Sequence, residues 1–354
     1  MTGVQTCALP ISAARLATFD TIIDARSPGE YAEDHLPGAL NWPVLDDDER
    51  REVGTQYKQV SSFNARKLGA ALVARRIAEH IEAGVMDKAH DWQPLVYCWR
   101  GGQRSGTMAW FLGQIGFRVQ VLEGGYKAFR AVVHEQLATR PLAFDYVVIA
   151  GRTGSGKTRL LKALAAEGAQ VLDLEGLAQH RGSVLGGLPE GEQPTQRAFE
   201  TGLWQALCAL DPARPVFVES ESRKIGRLQV PEALLERMRR EGRVVMLTMS
   251  DDARVQLLLE EYGFFAKQLE RFCSHMDTLV PLRGKDTVAQ WKALAQAGDW
   301  AALFADLMHR HYDPLYQQSI KRNFAGQSDA RVLAVDDGGA AALRAAARQL
   351  LANG

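Results

Sequence analysis

Two short stretches of this 354-residue chain set a reactive or cationic group inside a glycine-rich turn. The first is Cys98-Trp99-Arg100-Gly101-Gly102-Gln103-Arg104-Ser105, which follows the apolar run Pro94-Leu95-Val96-Tyr97. The second is Gly151-Arg152-Thr153-Gly154-Ser155-Gly156-Lys157-Thr158, which follows Tyr146-Val147-Val148-Ile149-Ala150. In both, a short strand runs into a turn and then a helical pattern. Such a turn aims backbone N–H groups and a helix N-terminus at one point, which suits an anion. A sulfur nucleophile and a pyrophosphate cradle on one polypeptide predict group transfer in two steps.

The thiolate, not the thiol, is the nucleophile, and a free cysteine has a pKa of about 8.5. N–H donors, a helix N-terminus and the nearby Arg100 and Arg104 all favour negative charge on Cys98. Arg100, Gly101, Gly102, Gln103, Arg104 and Ser105 are therefore expected to form an anion cradle around it. Cys98 and Arg104 also fit Cys-x5-Arg, a phosphatase pattern that surrounds a tetrahedral oxyanion. The second stretch matches the full P-loop pattern. Gly151, Thr153, Gly154, Ser155 and Gly156 curl around a phosphate, Lys157 adds a point charge, and the Thr158 hydroxyl suits Mg²⁺. A partner carboxylate is expected at a neighbouring strand end: Glu219 after Val216-Phe217-Val218, with Glu221, or Asp173 and Glu175 after Val171-Leu172. The loop alone does not distinguish ATP from another pyrophosphate.

These loops need strands and helices to hold them. Strands are expected at 21–24, 95–97, 118–122, 145–150, 170–172, 215–218, 243–249 and 331–335. Leu68, Leu72, Ile77 and Ile81, closed by Gly84, predict an amphipathic helix, and Ser105 to Ile115 another. Alternation of this kind predicts an α/β fold with parallel sheets. The length predicts two domains. Arg140-Pro141-Leu142 marks the expected boundary, giving domains at 1–139 and 140–354, the latter ending in a helical part. The first dozen residues fit no element and are expected to be disordered or foreign to the fold. Lys+Arg and Asp+Glu are 42 each, so overall charge says nothing about nucleic acid. The four cysteines lack metal-ligand spacing, and no apolar run suffices for a membrane span. A cytoplasmic protein with free thiols is expected.

Asp24-Ala25-Arg26-Ser27-Pro28, Glu30-Tyr31, His35-Leu36-Pro37-Gly38-Ala39, the Cys98 loop and Glu123-Gly124-Gly125-Tyr126 together resemble a rhodanese domain, whose cysteine carries sulfur as a persulfide. A rhodanese-like domain ahead of a P-loop NTPase-like α/β domain resembles the tRNA 2-selenouridine synthase family. So do Asp47-Asp48-Glu49-Arg50, Val53-Gly54-Thr55, Tyr57-Lys58-Gln59, His180-Arg181-Gly182-Ser183, Glu219-Ser220-Glu221-Ser222-Arg223 and Tyr312-Asp313-Pro314-Leu315-Tyr316. That resemblance implies conversion of wobble 2-thiouridine in tRNA to 2-selenouridine. Selenophosphate is the selenium donor, and an S-geranyl intermediate is made from geranyl diphosphate. It assigns Cys98 as the selenium or sulfur carrier and implies tRNA bearing wobble 2-thiouridine, and selenophosphate synthetase, as partners. No tightly bound cofactor is expected beyond these substrates and Mg²⁺. Three other readings stay open: an ATP-dependent tRNA thiolation enzyme or other sulfurtransferase, a Cys-x5-Arg phosphatase with a regulatory nucleotide domain, and a non-catalytic nucleotide-gated adaptor.

Overall fold

A computed structural model describes residues 5–7, 12–183, 185–187, 191–324 and 330–352. The chain divides into two compact units: Met1–Gln136 with Thr195–Cys208, and Leu137–Pro194 with Ala209–Gly354.

The first unit is built on five strands: β1 (Gln5–Cys7), β2 (Thr21–Asp24), β3 (Ala39–Asn41), β4 (Pro94–Tyr97) and β5 (Gln120–Leu122). They lie in the order β1-β5-β4-β2-β3, and every pairing is parallel. β2 and β4 sit inside the sheet, and β4 is buried along its whole length, as its unbroken Pro-Leu-Val-Tyr run requires. The core joins Ile23, Val96 and Val121 of the sheet to Ile77, Met108 and Leu112 of the covering helices. Contrary to expectation, part of the first dozen residues has a place: Gln5–Cys7 pairs in parallel with Gln120–Leu122. Apart from Ser12, the remainder of that stretch lies outside the described residues.

The second unit also carries a five-stranded parallel sheet, from β6 (Tyr146–Ala150), β7 (Gln170–Leu172), β8 (Val216–Glu219), β11 (Arg243–Thr248) and β12 (Arg331–Ala334), in the order β12-β11-β6-β8-β7. A small antiparallel ribbon, β9 (Lys224–Ile225) with β10 (Leu228–Gln229), follows β8. β6 is central and wholly buried, and its C-terminal end delivers the P-loop. A second, helical core of aromatic side chains includes Tyr262, Phe265, Phe272, Trp291 and Phe304.

One helix breaks the expected cut at residue 140. Gln196–Ala209 falls between strands of the second unit in sequence, yet its side chains complete the first. Trp204 is fully buried edge-on to Phe129 at 5.5 Å, and its indole N–H donates to Gln136 at 2.7 Å. Arg130 pairs with Glu200, and the buried Asp34 accepts from Tyr126 at 2.8 Å and Thr201 at 3.0 Å. Burying a carboxylate demands partners, and this helix supplies one. Trp204→Ala should cost about 3–5 kcal/mol. Hydrogen exchange should show lost protection in β2 and β4, while β6 and β11 keep theirs.

Candidate functional site

The Cys98 loop is positioned by backbone contacts before any side chain acts. Tyr126 N–H donates to the Cys98 carbonyl at 2.8 Å, and Lys127 N–H to that of Trp99 at 3.0 Å. Gly125, at φ +58°, lies so close that a Cβ there would stand 2.3 Å from the Cys98 oxygen and 2.5 Å from Gly101 N. Beneath the loop, the buried Arg26 forks onto Asp24 at 2.6 Å and donates to the Asp34 carbonyl at 2.7 Å. Its guanidinium also stacks on Tyr126, 3.9 Å from the ring centroid. Tyr97 O–H donates to the same Asp24 at 2.6 Å. A buried charge satisfied on this many sides fixes a backbone firmly.

Cys98 itself is buried. Its sulfur accepts from Gly102 N–H at 3.3 Å and from Ser105 O–H at 3.2 Å. Burial works against the thiolate. The Ser105 hydroxyl, the backbone N–H groups of Ser105 and Arg100, and the charge of Arg104 outweigh it and hold the thiol below its ordinary pKa. Arg100 is exposed and contributes through its backbone; Gln103 is exposed and opens the helix Gln103–Ile115. Arg104 is not free in the cradle: its guanidinium grips Glu30, at 2.7 and 3.4 Å. Arg50 reaches the same carboxylate at 2.9 Å. Burial opposes charge on Glu30, but Arg104 and Arg50 prevail and hold its carboxyl below the usual range. Ser27, Glu30, Arg50, Trp99 and Arg104 line a depression of about 440 Å³ beside the loop.

In the second unit, Gly154 and Gly156 take φ of +78° and +82°, which allow the P-loop to curl. Lys157 Nζ donates back to the Gly151 carbonyl at 2.8 Å and lies 5.7 Å from the Tyr316 ring centroid. The Tyr316 hydroxyl accepts from Gly151 N–H. The wholly buried Arg254 donates to the Thr153 carbonyl at 2.7 and 2.9 Å and to Asp313 at 2.6 and 2.9 Å. It thereby fastens the loop to the start of the helix Asp313–Asn323. Ser155 is buried with its hydroxyl unpartnered.

The strand-end acids converge here. Thr158 O–H donates to Glu175 at 2.7 Å, and Glu175 N–H donates to Glu219 at 2.7 Å. Glu219 is fully buried, with its other oxygen orphaned. Burial, then the neighbouring Glu221, pushes its carboxyl well up. Burial, with Glu175 beside it, pushes Glu221 up to about 8, and burial raises Glu175 as well. Asp173 instead caps the helix Leu174–Ala178 by accepting from Gly176 N–H at 2.7 Å. Among the described residues, no three His, Cys, Asp or Glu side chains are grouped as metal ligands. The P-loop opens on a cavity of about 690 Å³. Its lining mixes polar side chains, Lys157, Glu175, Arg181 and Glu221 among them, with Leu258, Tyr262, Leu315, Tyr316 and Ile320.

A rhodanese-like domain is matched over residues 11–132, and the tRNA 2-selenouridine synthase AAA domain over 144–285. The tRNA 2-selenouridine synthase of Sulfurovum sp. (strain NBC37-1) is 33% identical over 330 residues, spanning 85% of this chain and 89% of that one. That of Shewanella loihica is 35% identical over 337 residues, with coverage of 86% and 88%. The chain belongs to the tRNA 2-selenouridine synthase family. A third member, from Shewanella pealeana, is 37% identical over 335 residues, covering 85% and 89%. Among the described residues, no helix is long and apolar enough to cross a membrane.

Of the residues expected around Cys98, Gly102 and Ser105 reach the sulfur while Arg104 turns to Glu30; beside the P-loop, Thr158 meets Glu175, and Glu175 meets Glu219. Sequence reasoning missed Glu30 and Arg50 beside the first loop, and Arg254, Asp313 and Tyr316 beside the second. Tyr312 to Tyr316 stood out as a family-like stretch, but nothing in its spacing pointed to the P-loop.

Two outcomes follow from these environments. Ser105→Ala removes a donor to the thiolate, so the pH midpoint of Cys98 alkylation should move upward by about one unit or less. Glu221 titrates near 8 when folded, against an ordinary 4.5. The folded state therefore holds a proton that the unfolded chain has lost, and stability falls as pH rises across that window. Glu221→Gln should flatten the decline in melting temperature between about pH 5 and pH 8.

Proposed function

We propose that this chain converts 2-thiouridine at the tRNA wobble position to 2-selenouridine, with each loop handling one anionic co-substrate. The reading rests on family membership and on the division of chemistry between the loops. In the first step, the thiocarbonyl sulfur attacks C1 of geranyl diphosphate. The carbon–oxygen bond breaks and diphosphate leaves. Lys157 and the P-loop N–H groups would take up the charge that develops on the leaving group. In the second step, the selenium of selenophosphate attacks C2, the carbon–sulfur bond breaks and the geranyl thiolate leaves; water then cleaves the selenium–phosphorus bond, releasing phosphate and leaving selenium on C2. Cys98 lies in the loop that would hold selenophosphate, among backbone N–H groups that suit a tetrahedral anion.

The observation that carries the geranyl assignment is the lining of the P-loop cavity, which holds both charged and apolar side chains. Leu258, Leu315 and Ile320 offer a hydrocarbon chain apolar contacts in the same cavity as the Lys157 ammonium. A diphosphate with a short prenyl tail has this same division into charged head and greasy body. Thr158 and Glu175 are hard oxygen donors already in contact, with the orphaned oxygen of Glu219 close behind. Mg²⁺ accompanying the diphosphate fits Thr158 and Glu175, since Mg²⁺ habitually takes one or two protein oxygens plus phosphate. When bound, it would neutralise leaving-group charge.

The test is product analysis of thiolated tRNA by nucleoside mass spectrometry. Geranyl diphosphate alone should yield S-geranyl-2-thiouridine, and Lys157→Ala should lower that rate by about 100-fold or more. Cys98→Ser should geranylate normally and fail to introduce selenium. If Lys157→Ala blocks selenation but not geranylation, the loops are assigned the wrong way round. If ATP is consumed with unthiolated tRNA, and geranyl diphosphate is not consumed with thiolated tRNA, the thiolation reading replaces this one.

A further inference from the structure

The helices Asp47–Gln59 and Ser62–Gly84 form an antiparallel hairpin in the first unit. Its base adjoins the Cys98 loop: Asp47 accepts from Gly29 N–H at 3.0 Å, and Arg50 shares Glu30 with Arg104. At the base, Arg76 ties the two helices through Asp46 and Glu49. The tip is different. Tyr57 is 56% exposed, Val60 75% and Phe63 66%, among the most exposed large apolar side chains of the chain. Lys58, Arg66 and Lys67 surround them, all exposed and, among the described residues, in no ion pair. Lys67 sets its ammonium over the Phe63 ring at 4.9 Å. From Val53 to Ala78 the sequence holds Lys58, Arg66, Lys67, Arg75 and Arg76 and not one carboxylate, in a chain whose charges otherwise balance at 42 each.

A cluster of unpaired cations between exposed rings fits a polyanion that also offers flat π-faces. That combination is the signature of unpaired nucleotides, which stack on aromatics while their phosphates meet Lys and Arg. We infer that the hairpin tip is a tRNA-binding surface, holding the arm that presents the wobble base. The inference rests on the tRNA reading proposed above. The first helix has 13 residues. At 1.5 Å per residue it sets the tip roughly 20 Å from the rim of the Cys98 loop, about the width of an RNA helix. Tyr57 and Phe63 would stack on bases, while Lys58, Arg66 and Lys67 contact the backbone.

The test uses the full chain and a native tRNA bearing wobble 2-thiouridine, with binding followed over a salt series. Lys58→Gln, Arg66→Gln and Lys67→Gln combined should weaken binding tenfold or more and lower the slope of log K against log salt by about two. Tyr57→Ser with Phe63→Ser should weaken it several-fold with the slope unchanged, because stacking releases few counterions. Both variants should keep the wild-type melting temperature and Cys98 alkylation rate, and should raise KM for tRNA with little change in kcat. If wild type binds tRNA and both variants bind within twofold of it, the surface is wrong and the tRNA reading stands. If wild type binds no tRNA, that reading fails and the surface with it. Variants that keep tRNA affinity but lose association with selenophosphate synthetase would make the tip a protein-docking site and overturn the inference.

Discussion

The contact between the Cys98 loop and the Gly124-Gly125 turn is the constraint on which the first unit's chemistry depends. A nucleophilic sulfur must sit where several N–H groups converge, and the backbone curls tightly only if something holds it from behind. Here the support is another stretch of backbone, close enough that any side chain at Gly125 would collide with the Cys98 carbonyl. Arg26 then stacks on Tyr126, one residue further along, and binds Asp24 at the end of β2. Three separate stretches of sequence thus meet under one sulfur. Burial would otherwise raise the pKa of that sulfur, and the donors delivered by this framework reverse the sign.

The second loop is held by a different device. Arg254 is buried, yet it spends its donors on the Thr153 carbonyl and on Asp313. The P-loop is therefore anchored to the C-terminal helical part as well as to its own strand. Tyr316, on the same helix as Asp313, meets the first glycine of the loop and flanks Lys157. The helix that lends Leu315 and Ile320 to the cavity is thus tied to the P-loop itself.

Much of this was legible in sequence, because both loops carry their mechanism in local spacing. A strand, a glycine turn and a helix start lie within a dozen residues, so Cys98 to Ser105 and Gly151 to Thr158 could be read directly. Glu219 and Glu175 were legible as strand-end acids for the same reason. What could not be read depends on distant partners. Glu30 and Arg104 lie 74 positions apart, and Gly151 and Tyr316 lie 165 apart. No periodicity links such pairs; only the folded sheet order does. The helix Gln196–Ala209 was misplaced because its pattern says that one face is buried, not against which sheet. The edge strand at Gln5–Cys7 was missed because three residues are too few for alternation to show.

The placement of Thr195–Cys208 has a consequence for biogenesis. The chain enters the first unit, leaves it after Gln136, and returns more than fifty residues later to deposit Trp204 against Phe129. On the ribosome, the N-terminal sheet therefore emerges with that aromatic face uncovered and the buried Asp34 short of a partner. It waits for seconds, at ordinary elongation rates, until the missing helix clears the exit tunnel.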